Sequence, residues 1–129
     1  MEYKKYDTIM VKFFGNTGSE QGKIRPAVII QNNTGNKFSP TLIVLPLTSE
    51  IKNLRQSTHL LIDKDDINGL YEDSMLLAEQ IRTIDKSRVI NKIGHIEDRK
   101  LQKDIFMCFV NAAAYNDEDE KEFFNQEAI

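Results

Sequence analysis

The chain of 129 residues predicts a mainly-β fold of the α+β class: a small, strongly bent antiparallel sheet or barrel with a C-terminal helix and a short intermediate helix. Three observations predict it. Short apolar runs recur between compact turns rich in Gly, Asn and Pro, as in small sheets that curl on themselves. Two of those runs, Ala27–Gln31 and Thr41–Leu47, are continuously apolar, the pattern of strands covered on both faces. Only one long stretch, near the C-terminus, repeats its apolar residues at helical spacing.

Asp7–Phe14 is the first strand, although the pair Phe13-Phe14 blurs its alternation. Gly18–Gly22 reads as a loop, where positive φ and local side-chain hydrogen bonds come cheaply. Arg25 precedes Pro26, and a residue before proline is held extended, so Arg25 begins the next strand with its side chain in a set direction. Asn32–Asn36 is a turn, and Ser39-Pro40 closes that loop. In the strand Thr41–Leu47, Pro46 places a bulge or the strand end. Thr58–Ile62 is a fourth strand, and Lys64–Asn68 forms one helical turn that stops at Gly69. Ser74–Gln80 is a fifth strand, and Arg82–Asp85 bends into weaker β segments around Val89–Ile93.

The helix follows. Leu101, Ile105, Cys108, Phe109 and Ala112 make one apolar stripe, with Glu97 and Asp98 in the first turn, where carboxylates suit the helix dipole. Phe106, Val110 and Ala113 widen the stripe beyond what one small sheet covers, which points to a partner. Residues 1–115 thus form one domain, and 116–129 an acidic, disordered tail.

Composition excludes several classes. No apolar run approaches the roughly 18 residues of a membrane span, and the N-terminus has no signal-peptide segment. The single Cys108 has no intramolecular disulfide partner, and no Cys/His cluster has zinc spacing. These point to a cytoplasmic protein without membrane attachment. The net charge of −3 conceals an asymmetry: residues 1–60 carry eight Lys/Arg against four acids, and residues 116–129 six acids against one lysine. A mildly basic body is compatible with a polyanionic ligand, and solvated faces often look the same.

Specific chemistry enters with a set of linked motifs. Gly18-Ser19-Glu20-Gln21-Gly22 and Arg25-Pro26 are followed by Pro46-Leu47-Thr48-Ser49, then Asp73-Ser74, then Glu79-Gln80-Ile81-Arg82-Thr83-Ile84-Asp85. In this order they closely resemble the MazF/PemK toxin family, over about Tyr6 to Tyr115. The resemblance implies an SH3-like barrel with appended helices, assembled as a homodimer. It implies a sequence-specific, ribosome-independent endoribonuclease toxin that cleaves single-stranded mRNA without a metal or other cofactor. The ribose 2′-hydroxyl attacks, leaving a 2′,3′-cyclic phosphate and a 5′-hydroxyl. The family branch suggests a short word centred on A-C-A, such as UACAU, and neutralisation by a MazE-like antitoxin. Two departures, Gly15-Asn16 after the first strand and Lys23 in the loop, bear on loop shape and substrate preference.

Matching positions make Arg25 and Thr48 catalytic and Glu20 the base or orienter of Arg25. Thr17, Ser19, Gln21, Lys23, Ser49, Glu79 and Gln80 become RNA-binding residues. A guanidinium presents a fork of donors suited to two phosphate oxygens, and its pKa above ~12 favours charge stabilisation over proton donation. Gln80 has the donors and acceptor needed to read a base edge. His59 and His95 match no catalytic position and are expected to be structural, and Cys108 is expected to pack. The alternative on the same fold is a non-catalytic toxin that poisons DNA gyrase, since fold does not fix function.

Overall fold

The computed structural model describes residues 1–13 and 23–114. In order they form β1 (Asp7–Phe13), β2 (Lys23–Ile29), α1 (Asn33–Phe38), β3 (Thr41–Thr48), β4 (His59–Ile62), β5 (Ser74–Leu77), β6 (Arg82–Asp85), β7 (Val89–His95) and α2 (Arg99–Ala114). Short 3-10 turns, Ala78–Gln80 and Lys86–Arg88, flank β6. The loop positions Thr17, Ser19, Glu20 and Gln21, and the tail 116–129, lie outside the described residues.

All pairings are antiparallel along the path β4-β5-β3-β2-β1-β7, with β6 also on β3. The bent antiparallel sheet is therefore as expected, but the barrel is not closed. β6 and β7 are consecutive and joined by one 3-10 turn, yet no ladder links them. Each already has a partner strand, β3 and β1 respectively.

The continuously apolar strands do bury both faces. Val28, Leu45 and Leu47 enter one cluster with Ile62, Leu76 and, from α2, Ile105. Ala27, Ile29, Leu42 and Val44 enter a second with Ile9, Val11 and Ile84. Strand alternation sends neighbouring residues of β2 and β3 into different clusters.

Several boundaries differ from expectation for physical reasons. β2 starts at Lys23 rather than Arg25, because Lys23 and Ile24 pair with Phe13 and Lys12 of β1. The turn at Asn32–Asn36 is a short helix, α1. The Asn32 side chain caps it by accepting from the Gly35 N–H at 2.8 Å, and the Asn36 amide bonds both the Gln31 carbonyl and the Gln31 amide. At Lys64–Asn68 the chain makes a single turn that stops at Gly69, as expected: one hydrogen bond runs from Gly69 N to Asp65 O, and the Asp65 carboxylate takes the N–H groups of Ile67 and Asn68. Gly69 has φ +67, and a Cβ there would stand 2.0 Å from the Ile93 carbonyl oxygen, so glycine is required. α2 begins after Asp98, whose carboxylate accepts from Lys100 N at 3.1 Å; Glu97 and Asp98 precede the first turn rather than occupy it.

Along α2, Ile105 and Cys108 are buried, and Leu101 and Phe109 pack beside them. Ala112 is exposed, as are Phe106 (38%) and Met107 (46%), while Lys5 lies 4.5 Å from the centre of the Phe106 ring.

A cleft where two strands part

The ladder between β2 and β3 runs Ile29↔Val44, Val28↔Leu45, Ala27↔Pro46, and stops. Its phase explains why. Ile30 donates its N–H to the Ile43 carbonyl at 3.0 Å, so even-numbered residues of β2 direct their backbone groups toward β3. Pro26 is the next such residue, and it has no N–H to give. The strands therefore separate beyond Ala27, and Arg25 and Thr48 lie two residues further along them. Continuing the register by two places each opposite the other, on the same face as Ala27 and Pro46.

Pro46 marks neither a bulge nor the end of β3, which continues to Thr48. On its other edge β3 pairs β6 through Thr41–Val44 and β5 through Leu47 and Thr48. Pro46 falls in the gap between these partners, where an N–H would meet no acceptor.

The separation opens a cleft of about 370 Å³. Lys23, Ile24, Arg25 and Pro26 line it from β2, and Thr48, Ser49 and Glu50 from the end of β3. Met10, Leu47, Leu70 and Ile93 provide its apolar lining, while Tyr71, Glu72 and Ser74 come from the segment joining β4 to β5. Arg25 is half-buried and makes no hydrogen bond or ion pair with the described residues. The Thr48 Oγ accepts from Glu50 N–H at 3.1 Å, which caps the strand end and leaves the single hydroxyl proton to point elsewhere. Lys23, Arg25, Thr48 and Ser49 thus border one cleft, a set of donors suited to an oxyanion.

Of the sequence candidates, Lys23, Arg25, Thr48 and Ser49 are brought together here. Glu79 and Gln80 are not among the cleft residues. The expected strand Ser74–Gln80 ends at Leu77, and both residues sit on the 3-10 turn. The Glu79 carboxylate accepts from His59 Nε2 and, at 3.3 Å, from the Thr58 hydroxyl. The His59 ring is nearly buried, and its Nδ1 lies 3.0 Å from the Asn53 carbonyl oxygen. Beneath this corner Cys108 is a free, buried thiol 3.9 Å from the His59 carbonyl. Burial, then the negative charges of Asp104 and Glu79, hold it above the ordinary thiol range. His95 is also structural: its Nδ1 bonds the buried Asp7 at 2.8 Å, and Asp7 further accepts from Lys4 N. Among the described residues no group of three His, Cys, Asp or Glu is placed to hold a metal ion, and no helix is long and apolar enough to cross a membrane.

Glu50, Tyr71 and Glu72 are cleft residues that sequence reasoning missed. The available signal was an aromatic followed by two acids in a segment with no apolar periodicity, Tyr71-Glu72-Asp73.

Comparison with known proteins finds relatives over most of the chain. The profile of the PemK-like, MazF-like toxin of type II toxin–antitoxin systems matches residues 4–104. The chain is 44% identical over 103 residues to "Endoribonuclease EndoA" of Bacillus subtilis, covering 80% of this chain and 88% of that protein. It is 50% identical over 86 residues to "Endoribonuclease MazF" of Staphylococcus saprophyticus, covering 67% and 71%. Among solved structures it resembles a mycobacterial endoribonuclease in complex with its cognate antitoxin, with TM-score 0.71 and 16% identity over 88% of this chain and 96% of that one. At that identity the likeness concerns the fold.

Proposed function

The chain belongs to the PemK-like, MazF-like toxin family, and from that premise we propose that it is an endoribonuclease cutting single-stranded RNA in the cleft between Arg25 and Thr48. The observation that supports the reading is that Arg25, with no described partner, and Thr48 both line the cleft that opens where the β2–β3 ladder stops.

RNA supplies its own nucleophile. The 2′-oxygen loses its proton and forms a bond to the adjacent phosphorus, the bond to the 5′-oxygen breaks, and that oxygen takes a proton from solvent, so the products carry a 2′,3′-cyclic phosphate and a 5′-hydroxyl. The protein must hold the linkage in line and stabilise charge on the pentavalent phosphorus. Arg25 does so with paired N–H donors to the non-bridging oxygens, and Thr48 adds one O–H donor. Glu20 takes the proton from the 2′-hydroxyl or orients Arg25, with Thr17, Ser19 and Gln21 binding RNA from the same loop. Lys23 and Ser49 hold the flanking backbone, and the exposed Gln80 contacts RNA beyond the cleft. No step calls for a resident metal, and the reaction proceeds in the cytoplasm.

The test is a long single-stranded RNA incubated with the protein in EDTA. Discrete fragments with cyclic-phosphate ends, recurring at a word centred on A-C-A such as UACAU, are expected. RNA left intact, or a strict need for added divalent metal, would refute the reading.

Two partners belong to the proposal. One is a second copy of the chain: the exposed Phe106 and Met107 on α2 leave apolar surface uncovered in the single chain, and light scattering at micromolar concentration should return a dimer mass. The other is a MazE-like antitoxin whose disordered, acidic and apolar segment covers Arg25, Thr48 and Gln80 and folds as it binds.

A further inference from the structure

The cleft has a second wall to which the proposed reaction gives no task. Tyr71 and Glu72, between β4 and β5, line the same cavity as Arg25 and Thr48. Tyr71 is 74% exposed, an unusual position for a large ring that gains from burial. It does not sit there on a loose segment. Just before it, Gly69 turns the chain at positive φ, and Leu70 is buried with its N–H donated to Asn68 Oδ1 at 3.0 Å. Just after it, Asp73 accepts from Lys64 N at 2.9 Å, and the Ser74 hydroxyl donates to the Glu72 carbonyl at 2.9 Å. Tyr71-Glu72 is held out over the cleft between two anchored ends.

The two described carboxylates of the cleft also differ. Glu50 has the Lys52 ammonium 3.9 Å away. Glu72 has no ion pair and no side-chain hydrogen bond among the described residues. An ionised carboxylate only accepts hydrogen bonds and repels phosphate, so it suits the base end of a nucleotide whose phosphate lies at Arg25.

We propose that Tyr71 and Glu72 form a base-reading subsite beside the scissile linkage: Tyr71 stacks on the base, and Glu72 accepts from its exocyclic amino group. The inference rests on the nuclease reading above and adds a source of selectivity to it. Every base has a π-face, so the ring supplies affinity without choice. The carboxylate supplies the choice. Adenine, cytosine and guanine present amino donors, whereas uracil sets two carbonyls around a single N–H and is disfavoured.

The experiment uses the full chain as wild type and as Tyr71→Ala, Tyr71→Phe and Glu72→Gln. Binding is read with 2′-O-methylated RNA carrying 2-aminopurine in place of adenine. This probe has no 2′-hydroxyl to attack, and its fluorescence falls on stacking. Cut sites are read by sequencing the ends of a long transcript. Tyr71→Ala should lose the quenching and bind about 5- to 100-fold more weakly, while Tyr71→Phe keeps both. Glu72→Gln should admit uracil at one position beside the cut, because an amide can donate as well as accept. Wild-type quenching and affinity in Tyr71→Ala, together with an unchanged cut-site profile in Glu72→Gln, would overturn the subsite. A wild type that cuts no RNA defeats the nuclease reading instead, and the quenching comparison still decides whether Tyr71 stacks on a bound base.

Discussion

The Arg25–Thr48 cleft and the His59–Glu79 corner are both rich in groups suited to RNA, but the protein uses them differently. At the corner the polar atoms are already engaged. Glu79 holds His59 and Thr58, His59 reaches the Asn53 carbonyl, and α2 packs against the 3-10 turn through this region. In the cleft, Arg25 has no partner among the described residues, and the Thr48 hydroxyl meets one backbone N–H. A polar group whose bonds are complete stabilises the fold; one held in place with bonds to spare is positioned for a ligand. Residue type does not separate the two cases, but hydrogen-bond partners do.

Arg25→Ala is the strongest test of that contrast. Loss of one preorganised donor to a transition-state oxyanion should cost about 3 kcal/mol, or roughly 100- to 1000-fold in cleavage rate, with no change in thermal midpoint. Near wild-type cleavage would break the contrast at its functional end. Thr48→Ala should act in the same direction with a smaller effect, about 10- to 100-fold, as expected for one hydrogen bond to a charged group. Thr48→Ser should recover most of the rate, and failure to do so would transfer the effect to the methyl group.

Glu79→Ala should show the opposite profile. It leaves the nearly buried His59 without its carboxylate, so stability should fall by about 1–3 kcal/mol, seen as a lower urea midpoint, while the folded protein still cleaves. Abolished cleavage at unchanged stability would move Glu79 into the RNA-binding set. The smallest effect concerns Cys108. Its thiol is held above the ordinary range by burial and then by Asp104 and Glu79, so alkylation near pH 8 should be slow in the folded protein and fast in denaturant. A raised folded-state pKa favours the protonated thiol. The associated stability is therefore complete below the unfolded thiol pKa of ~8.5 and is lost as pH rises through the folded value. Glu79→Gln removes one of the raising charges and should speed alkylation slightly; a slower reaction would contradict that cause.

Much of this was legible in the chain. Ala27–Ile30 and Thr41–Leu47 announced themselves because burial on both faces leaves no room for polar residues. Arg25 and Thr48 were legible through motif resemblance, and their meeting follows from register, which no single stretch encodes. Helix α1 was not legible, because Asn and Gly favour turns; a cap and the Gln31–Asn36 amide pair hold it instead. The end of β5 at Leu77 was hidden for a similar reason: a bond to His59, twenty residues earlier, accompanies the change to a 3-10 turn. Tyr71 and Glu72 escaped notice because their nearness to Arg25 is a product of the β4–β5 connection and the cleft it borders.

One pairing has a consequence for how such a protein is made. β1 has β7 as its neighbour on one edge, and the buried Asp7 finds His95 across 88 positions of sequence. Ile93 of that late strand is part of the cleft wall. A chain still lacking β7 therefore has a first strand open along one edge, an Asp7 without His95, and an incomplete cleft. The cleft is therefore complete only once β7, far along the sequence, has joined the first strand.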